Sequence, residues 1–222
     1  KQPKAKKSKP KEFNNRMSLK GLRQIIEKLN DKQKEVIKEI GFGGFLHLQL
    51  DMILGKLAVW LVRNFDTCSC SLPLTHGRLR VTEHDVYMTL ALPKGPFEVT
   101  EAKSEMNSST EFKTLLKQWK EHWLDRDSVP KSGEMVDMIC SQVDGGEEFK
   151  RNFILFVVSS CLNGNQKGEV NYLVLDSLLD LSKVRELNWA RYTMAALVSS
   201  VDEWKKKTSR FFRGPILFLM VR

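Results

Sequence analysis

Apolar side chains recur every three to four residues along most of this chain, and this period favours α-helices. The first such stretch follows Ser18, a suitable N-cap, and its apolar residues are Leu19, Leu22, Ile25, Ile26 and Leu29. The period changes between Cys70 and Val81, where apolar and polar residues alternate on both sides of residues 75–77. Such alternation around a turn predicts a β-hairpin. The expected fold class is therefore mainly α: a single compact helical domain with one small β-hairpin.

The turn after the second predicted helix has the sequence Gly-Phe-Gly-Gly-Phe. Asn30 and Asp31 end the first helix and begin the second, and Gly41 is placed to end that second helix. We expect Gly43 or Gly44 to adopt a positive φ, and the phenylalanines to hold the turn against the core. The turn follows a helix and lacks the lysine of a phosphate-binding loop, so it does not indicate pyridoxal-phosphate or nucleotide chemistry.

The remaining helices are predicted from the same period and from capping residues. An amphipathic helix with Leu57, Trp60, Leu61 and Phe65 on its apolar face ends near Asp66. Thr82, with Asp85 three residues later, makes a variant capping box that opens the next helix, which Pro93 stops. Later helices are expected at 112–123, 135–143, 147–162 and 170–183. A long helix is expected from Asn188, and its inward-facing residues are predicted to be Trp189, Tyr192, Met194, Leu197, Val198, Val201 and Trp204.

Positive charge is concentrated at the beginning of the chain. The net charge is +9, and six of these charges precede Glu12, at Lys1, Lys4, Lys6, Lys7, Lys9 and Lys11. Residues 1–16 offer too little apolar surface to offset their ordering entropy, so we predict a disordered basic tail ahead of a domain at 17–222. The lysine-rich run resembles a nuclear-import signal, which predicts localisation to the nucleus. Its charge also predicts weak, non-specific attraction to nucleic acid.

Cysteine usage and hydropathy favour a reducing, non-membrane environment. The four cysteines, Cys68, Cys70, Cys140 and Cys161, are not spaced as a disulfide framework. No apolar run approaches the roughly 20 residues of a membrane helix. The chain stops inside the apolar segment 216–221, which indicates a piece of a longer protein.

The side chains that suggest catalytic or metal chemistry have simpler structural interpretations. Cys68, Cys70, His76 and His84 lie close together, but C-x-C in a strand is not a zinc knuckle, and His84 falls in the first turn of a helix. Cys140 and Cys161 lie in apolar stretches with no histidine beside them, which is typical of buried structural cysteines. Acidic pairs such as Glu147 and Glu148 are expected at a helix start. We therefore predict no catalytic, cofactor-binding or metal-binding residues.

Two groups of basic residues raise the alternative of nucleic-acid binding. Lys205, Lys206, Lys207, Arg210 and Arg213 are interleaved with Phe211 and Phe212, and Lys113, Lys117 and Lys120 line one helix face beside Trp119. Cations neutralise phosphates, and exposed aromatic rings stack on bases. The same lysines near residue 205 would equally complement the dipole at a helix end while the phenylalanines enter the core.

Four segments, taken together, resemble a known family. They are IGFGGFLHLQL, WLVRNFD, LRVTEHDVYMTLALPKG and NWARYTMAALVSSVDEWKKK, in this order. They are similar to the conserved blocks of the plant mobile domain, also labelled aminotransferase-like, which occurs in plant nuclear proteins and transposon-derived genes. Related blocks lie beside Ulp1-like protease domains. The structural residues in these segments are Gly41, Gly43, Gly44, Trp60, Asp66, Thr82, Asp85 and Trp189.

The resemblance covers about residues 17–222 and implies a helical fold without catalysis, cofactor or small-molecule substrate. It also implies a role in gene regulation, transposon silencing or genome maintenance, at chromatin and through protein partners. We therefore expect a non-enzymatic protein–protein interaction module of a plant nuclear regulatory protein. The alternative is a DNA- or RNA-binding domain of a transposon-derived nuclear factor.

Overall fold

Helices make up most of the described chain, and one antiparallel hairpin supplies its β-structure, as the periodicity predicts. The structure, a computed structural model, describes residue 14 and residues 19–48, 53–123, 129–165 and 167–221. The α-helices are α1 (Leu19–Lys28), α2 (Asp31–Glu39), α3 (Gly55–Asn64), α4 (Glu83–Leu90), α5 (Thr110–Glu121), α6 (Met135–Ser141), α7 (Glu147–Val157), α8 (Trp189–Lys205) and α9 (Ile216–Val221). The strands are β1 (Ser71–Leu74) and β2 (Gly77–Arg80). The predicted N-cap Ser18 and the lysines of the basic tail lie outside the described residues.

The corner between α1 and α2 forms at Asn30, where the first helix was predicted to end and the second to begin. The Asn30 side chain accepts a hydrogen bond from the Gln33 N–H at 2.8 Å, and the Gln33 side chain accepts one from the Asn30 N–H at 3.0 Å. Gln33 is itself buried and donates to the carbonyls of Ile139 at 3.2 Å and Gln142 at 3.0 Å. One capping box therefore fixes this corner and ties it to α6.

The glycines of the Gly-Phe-Gly-Gly-Phe turn act differently from the prediction. Gly41 ends α2 with a φ of +84°, but Gly43 and Gly44 belong to a right-handed 3₁₀ turn and have no positive φ. A Cβ on Gly44 would lie 2.1 Å from the carbonyl oxygen of Leu90, at the end of α4. The prediction of a positive φ at residue 43 or 44 is therefore wrong. Gly44 is needed because two backbones approach closely.

The phenylalanines of this turn are held in the core, as predicted. Phe42 and Phe45 are fully buried. The Phe42 ring packs edge-on against Trp189 with centroids 5.2 Å apart, and Trp189 Nε1 donates to the Val184 carbonyl at 2.9 Å. Trp189 thus faces inward, as expected, and joins the turn to the start of α8.

Helix α3 turns a different face to the core from the one predicted. Its buried residues are Ala58, Leu61 and Val62, whereas Leu57 is 39% exposed and Trp60 is 47% exposed. The prediction placed the largest side chains inward, but the small Ala58 lets α3 pack closely against α9, α8 and β1. The assignment of Leu57 and Trp60 to the buried face is therefore wrong.

The predicted β-hairpin forms, with Leu72 opposite Leu79 in an antiparallel pair. Cys68 and Cys70 precede β1 in the turn 67–70, so they do not lie in a strand as the zinc argument assumed. Cys70 has a φ of +46° in this turn. Cys68 is exposed and Cys70 is partly exposed.

Asp66 organises the turn that leads into the hairpin. Its carboxylate accepts hydrogen bonds from the Cys68 N–H at 3.0 Å, the Ser69 hydroxyl at 2.7 Å and the Arg78 guanidinium at 2.9 Å. The hydrogen bonds from Ser69 and Cys68, together with the charge of Arg78, lower the pKa of Asp66. Asp66 is therefore a turn-forming residue, consistent with its prediction as a structural one.

Helix α4 begins with the predicted variant capping box. The Asp85 carboxylate accepts hydrogen bonds from the Thr82 N–H at 2.7 Å and the Thr82 hydroxyl at 2.6 Å. The helix ends at Leu90, and the left-handed Ala91, with φ +51°, redirects the chain ahead of Pro93. Helices α5 and α6 also form where they were predicted.

The last predicted helices are confirmed in part. Helix α7 continues into a π-turn at Val158–Leu162, so residues 147–162 are helical as predicted. The expected α-helix at 170–183 is instead two 3₁₀ segments, Tyr172–Leu178 and Leu181–Glu186. Asp180 separates the two segments because its carboxylate accepts a hydrogen bond from the Ser182 N–H at 3.0 Å. This bond caps the second 3₁₀ segment at its N-terminal end.

Contacts around α8 join the four segments that were singled out in the sequence. Phe42 of the first packs on Trp189 of the fourth, and Gly44 of the first meets Leu90 of the third. The Phe65 carbonyl of the second accepts a hydrogen bond from Lys205 Nζ of the fourth at 2.5 Å. These segments therefore build one shared core.

Candidate interaction surface

A groove runs along the exposed side of α8, with a volume of about 600 Å³. Its lining residues are Cys70, Arg191, Met194, Ala195, Val198, Ser199, Asp202, Glu203 and Lys206. We call it the α8 groove. Met194, Ala195 and Val198 supply its apolar part, and charged side chains lie towards both ends.

The spacing of the lining residues gives the groove the length of a short helix. Met194, Val198 and Asp202 are four residues apart, so they lie on one face of α8. From Arg191 to Lys206 the helix rises roughly 22 Å, at about 1.5 Å per residue. A partner helix of about four turns matches that length.

The opposite side of α8 anchors the groove to the core. Its fully buried side chains include Trp189, Thr193, Leu197 and Val201. Asn188 caps the helix by accepting the Arg191 N–H at 2.8 Å. The groove is thus carried by a rigid element instead of a loop.

A half-buried polar cluster holds α8 beside the π-turn. The Tyr192 hydroxyl donates to Glu101 Oε1, and the side-chain amides of Asn163 and Asn171 donate to the same oxygen at 3.1 Å and 2.9 Å. Burial and the charge of Glu101 raise the pKa of Tyr192 well above its ordinary value, so the phenol remains a hydrogen-bond donor. The cluster positions α8 and leaves the apolar part of the groove free of these groups.

Arg191 closes the first end of the groove with two acidic neighbours. Its guanidinium lies 2.9 Å from Glu83 and 3.3 Å from Glu98. Burial alone would raise the pKa of Glu83, but hydrogen bonds from Arg191 and Asn188 outweigh it and lower that pKa. Hydrogen bonding to Glu83 in turn raises the pKa of Arg191. These three groups together carry one net negative charge.

The second end carries an excess of positive charge. Arg213 binds Glu203 at 2.6 Å, and the Thr67 hydroxyl donates to Asp202 at 2.7 Å, so both acids already have partners inside the fold. Lys206 and Lys207 are exposed beside them. A partner with acidic residues at this end would meet unneutralised lysines.

The two predicted basic groups lie on elements with different neighbours. On α5, Lys120 pairs with Glu105 at 2.8 Å and lies over the Tyr172 ring at 5.4 Å, whereas Lys113 and Lys117 are exposed. α5 packs on the 3₁₀ segment Tyr172–Leu178, whereas α8 packs on α4, α3 and the π-turn.

The aromatic residues of those basic groups are largely internal. Phe212 is buried, and Trp119 is buried with its Nε1 donating to Asn152 at 2.8 Å. Arg213 is held by Glu203, and Arg210 lies over the Phe211 ring at 5.5 Å. These contacts favour the structural interpretation that the sequence left open.

The cysteines and acids show no assembled reactive centre in the part of the chain that the structure covers. Burial raises the pKa of Cys161 to about 12, and burial also raises the pKa of Cys140. No three His, Cys, Asp or Glu side chains among the described residues are grouped to hold a metal ion. His84 stacks on Tyr87 at 6.1 Å, in the first turn of α4 as predicted. Within the described ranges, no helix is long and apolar enough to span a membrane.

Comparison with known proteins identifies the family. Residues 15–220 match the family described as a domain of unknown function, DUF8566, which is nearly the whole chain. The chain belongs to this family. No curated protein and no solved structure matches it. The description of DUF8566 names no activity.

Sequence patterns alone do not reveal the α8 groove. Of the residues of α8 that were predicted to face inward, Trp189, Leu197 and Val201 are fully buried, whereas Met194 and Val198 line the groove. The groove also requires Cys70 from a turn more than 100 residues earlier. One local signal is present: Arg191, Ala195 and Ser199 form a column of exposed residues beside the large apolar ones. That column predicts which face of α8 is exposed, but it does not predict a groove on that face.

Proposed function

We propose that this domain is a non-enzymatic protein–protein interaction module that receives an amphipathic helix of a partner in the α8 groove. The observation that carries the proposal is a preformed groove with an apolar centre and charged ends on a helix whose other side is fully buried. Helix-in-groove recognition uses this combination, with apolar anchors every three to four residues in the groove and charges setting direction. The partner helix would place its acidic residues beside Lys206.

We further propose that the partner is a nuclear protein and that the module acts in a plant nuclear regulatory protein, in gene regulation, transposon silencing or genome maintenance. Two features of the sequence support this context. The lysine-rich tail resembles a nuclear-import signal, and four segments resemble the plant mobile domain. Neither feature depends on the groove.

No reaction is proposed for the groove. Arg191, Asp202 and Glu203 are each held by residues of the fold, so they are placed for shape and charge and not for proton transfer. Cys70 lies in the groove, and no imidazole contacts its thiol among the described residues. The polar rim fits recognition better than catalysis.

DNA or RNA binding is the second candidate, and the exposure of Lys206, Lys207 and Arg210 favours it. Binding through several such cations releases counterions and falls steeply with salt. A salt series of DNA binding with and without residues 1–11 separates the contributions of the tail and the domain. A steep slope that survives the deletion would favour this second function.

Quantitative affinity capture from plant nuclear extract tests the groove proposal. Ala195→Arg fills the apolar centre with a bulky cation, and Gln118→Arg adds the same charge at an exposed position of α5. We expect a defined set of proteins to be captured by the wild-type and Gln118→Arg domains and lost with Ala195→Arg. Capture that is identical for all three proteins would show that the groove is not the binding surface.

A further inference from the structure

Helix α3 exposes a row of large apolar side chains that the fold does not use. Leu54, just before the helix, is 53% exposed, and it is followed at intervals of three by Leu57 and Trp60, which are exposed to a similar degree. Residues three apart lie on neighbouring positions of one helical face. We call these three residues the α3 strip.

The charged residues of α3 itself have one sign. Lys56 and Arg63 are exposed, and α3 contains no acidic residue. No ion pair involves either cation among the described residues. Lys56 also lies in the first turn of α3, where the helix dipole favours negative charge. The strip therefore combines an apolar centre with positive charge that has no ion-pair partner in the described part of the chain.

We propose that the α3 strip is a second, independent docking site and that its occupant is an acidic amphipathic segment of a partner protein. Tryptophan is the side chain most enriched at binding hot spots, and Trp60 stands at the end of the row, between Leu57 and Arg63. Acidic residues of the occupant would neutralise Lys56 and Arg63 while its apolar residues cover Leu54, Leu57 and Trp60.

A second copy of this chain fits the strip less well. Two α3 helices packed face to face and antiparallel would bring Lys56 of one copy near Arg63 of the other. Like charges brought together at an interface disfavour association. An acidic partner removes this repulsion.

The strip and the α8 groove can be tested separately because no residue lines both. The groove is lined by α8 and Cys70, whereas the strip belongs to α3 and the residue before it. The proposal for the strip holds whether or not the groove binds a helix.

The probe is a synthetic helical peptide of about 16 residues with leucines every three to four positions and glutamates between them. A matched peptide carries lysine in place of every glutamate. Binding of each labelled peptide to the full chain is measured by fluorescence anisotropy, and circular dichroism checks the fold of every variant. The variants are Trp60→Ala, the double charge reversal Lys56→Glu with Arg63→Glu, and two controls. The controls are Met88→Ala, which is 67% exposed on α4, and the groove variant Ala195→Arg.

In the Ala195→Arg protein, whose groove is blocked, we expect Trp60→Ala to weaken binding of the glutamate peptide at least tenfold, while Met88→Ala leaves it unchanged. The charge reversal should weaken the glutamate peptide and strengthen the lysine peptide, since it exchanges the sign of the flanks. Equal binding by Ala195→Arg proteins with and without Trp60→Ala overturns the proposal, as does complete loss of binding with Ala195→Arg alone, which would instead place the peptide in the groove. Sedimentation that shows a dimer abolished by Trp60→Ala would also overturn it, in favour of a second copy.

Discussion

At the scale of single residues, Gly44 shows how a missing side chain permits two elements to meet. A Cβ at this position would overlap the backbone of Leu90, which cannot move away as a flexible side chain can. We predict that Gly44→Ala destabilises the domain by about 2 kcal/mol or more, because the turn and α4 must separate. Gly133→Ala is the matched control, since a Cβ there has nothing within 4 Å. Chemical denaturation measures the stability of both variants. Equal denaturation midpoints for Gly44→Ala and Gly133→Ala would contradict the close approach of Gly44 to Leu90.

Asp66 has a pH dependence whose sign follows from its hydrogen bonds. The fold lowers the pKa of this carboxyl from its ordinary 3.8, so its contribution to stability is complete above that value and is lost as the pH falls through the lowered one. We predict that Asp66→Asn lowers the Tm at neutral pH, and that the difference from wild type shrinks below about pH 4. A difference that stays constant down to about pH 2 would mean that the charge of Asp66 does not matter.

At the scale of elements, the π-turn after α7 contains two adjacent serines in different situations. The Ser159 hydroxyl donates to the Leu155 carbonyl at 2.6 Å and accepts the Asn171 N–H at 2.8 Å. The hydroxyl of Ser160 is buried without a hydrogen-bond partner among the described residues. We predict that Ser159→Ala costs about 1–2 kcal/mol, whereas Ser160→Ala is neutral or stabilising by up to about 1 kcal/mol. Urea denaturation measures the free energy of unfolding of both variants. A larger loss of stability for Ser160→Ala than for Ser159→Ala would contradict these hydrogen-bond assignments.

The helices, the hairpin and most caps were predictable because they depend on residues close in sequence. Asn30 and Thr82 needed only the next three residues to be recognised as caps. The errors arose where distant residues decide. Trp60 faces outward whereas Ala58 is buried in a helix that packs against α9, and Gly44 has no room for a side chain because the end of α4 lies beside it. Neither neighbour is visible in the local pattern.

The same reason explains why neither candidate surface was predicted. The α8 groove requires Cys70 beside α8, and the α3 strip requires the outward rotation of Leu57 and Trp60. The basic residues, which the sequence does mark, are partly used within the fold, as Arg213 with Glu203 and Lys205 with Phe65 illustrate. Charge alone therefore overestimates the surface available to nucleic acid.

At the scale of the whole molecule, the lysine-rich tail and the folded domain are predicted to act separately. Asn14 accepts a hydrogen bond from the Phe212 N–H at 2.8 Å, so a deletion that tests the tail should stop at residue 11 and leave this contact intact. We predict that deleting residues 1–11 reduces nuclear import and weak DNA attraction but leaves the Tm and partner capture unchanged. Imaging of a fluorescent fusion and a parallel capture experiment measure this. Loss of capture with an unchanged Tm would make the tail the recognition element.

The central claim is that a partner helix occupies the α8 groove, and Cys70 offers a direct readout because it lines that groove. In Cys68→Ser protein, the rate of Cys70 alkylation is measured by mass spectrometry with and without the captured partner. Cys140, which is partly exposed on α6, serves as the internal reference. Occupation of the groove predicts that the partner slows alkylation of Cys70 several-fold and leaves Cys140 unaffected. Alkylation of Cys70 at an unchanged rate in the saturated complex would contradict the claim.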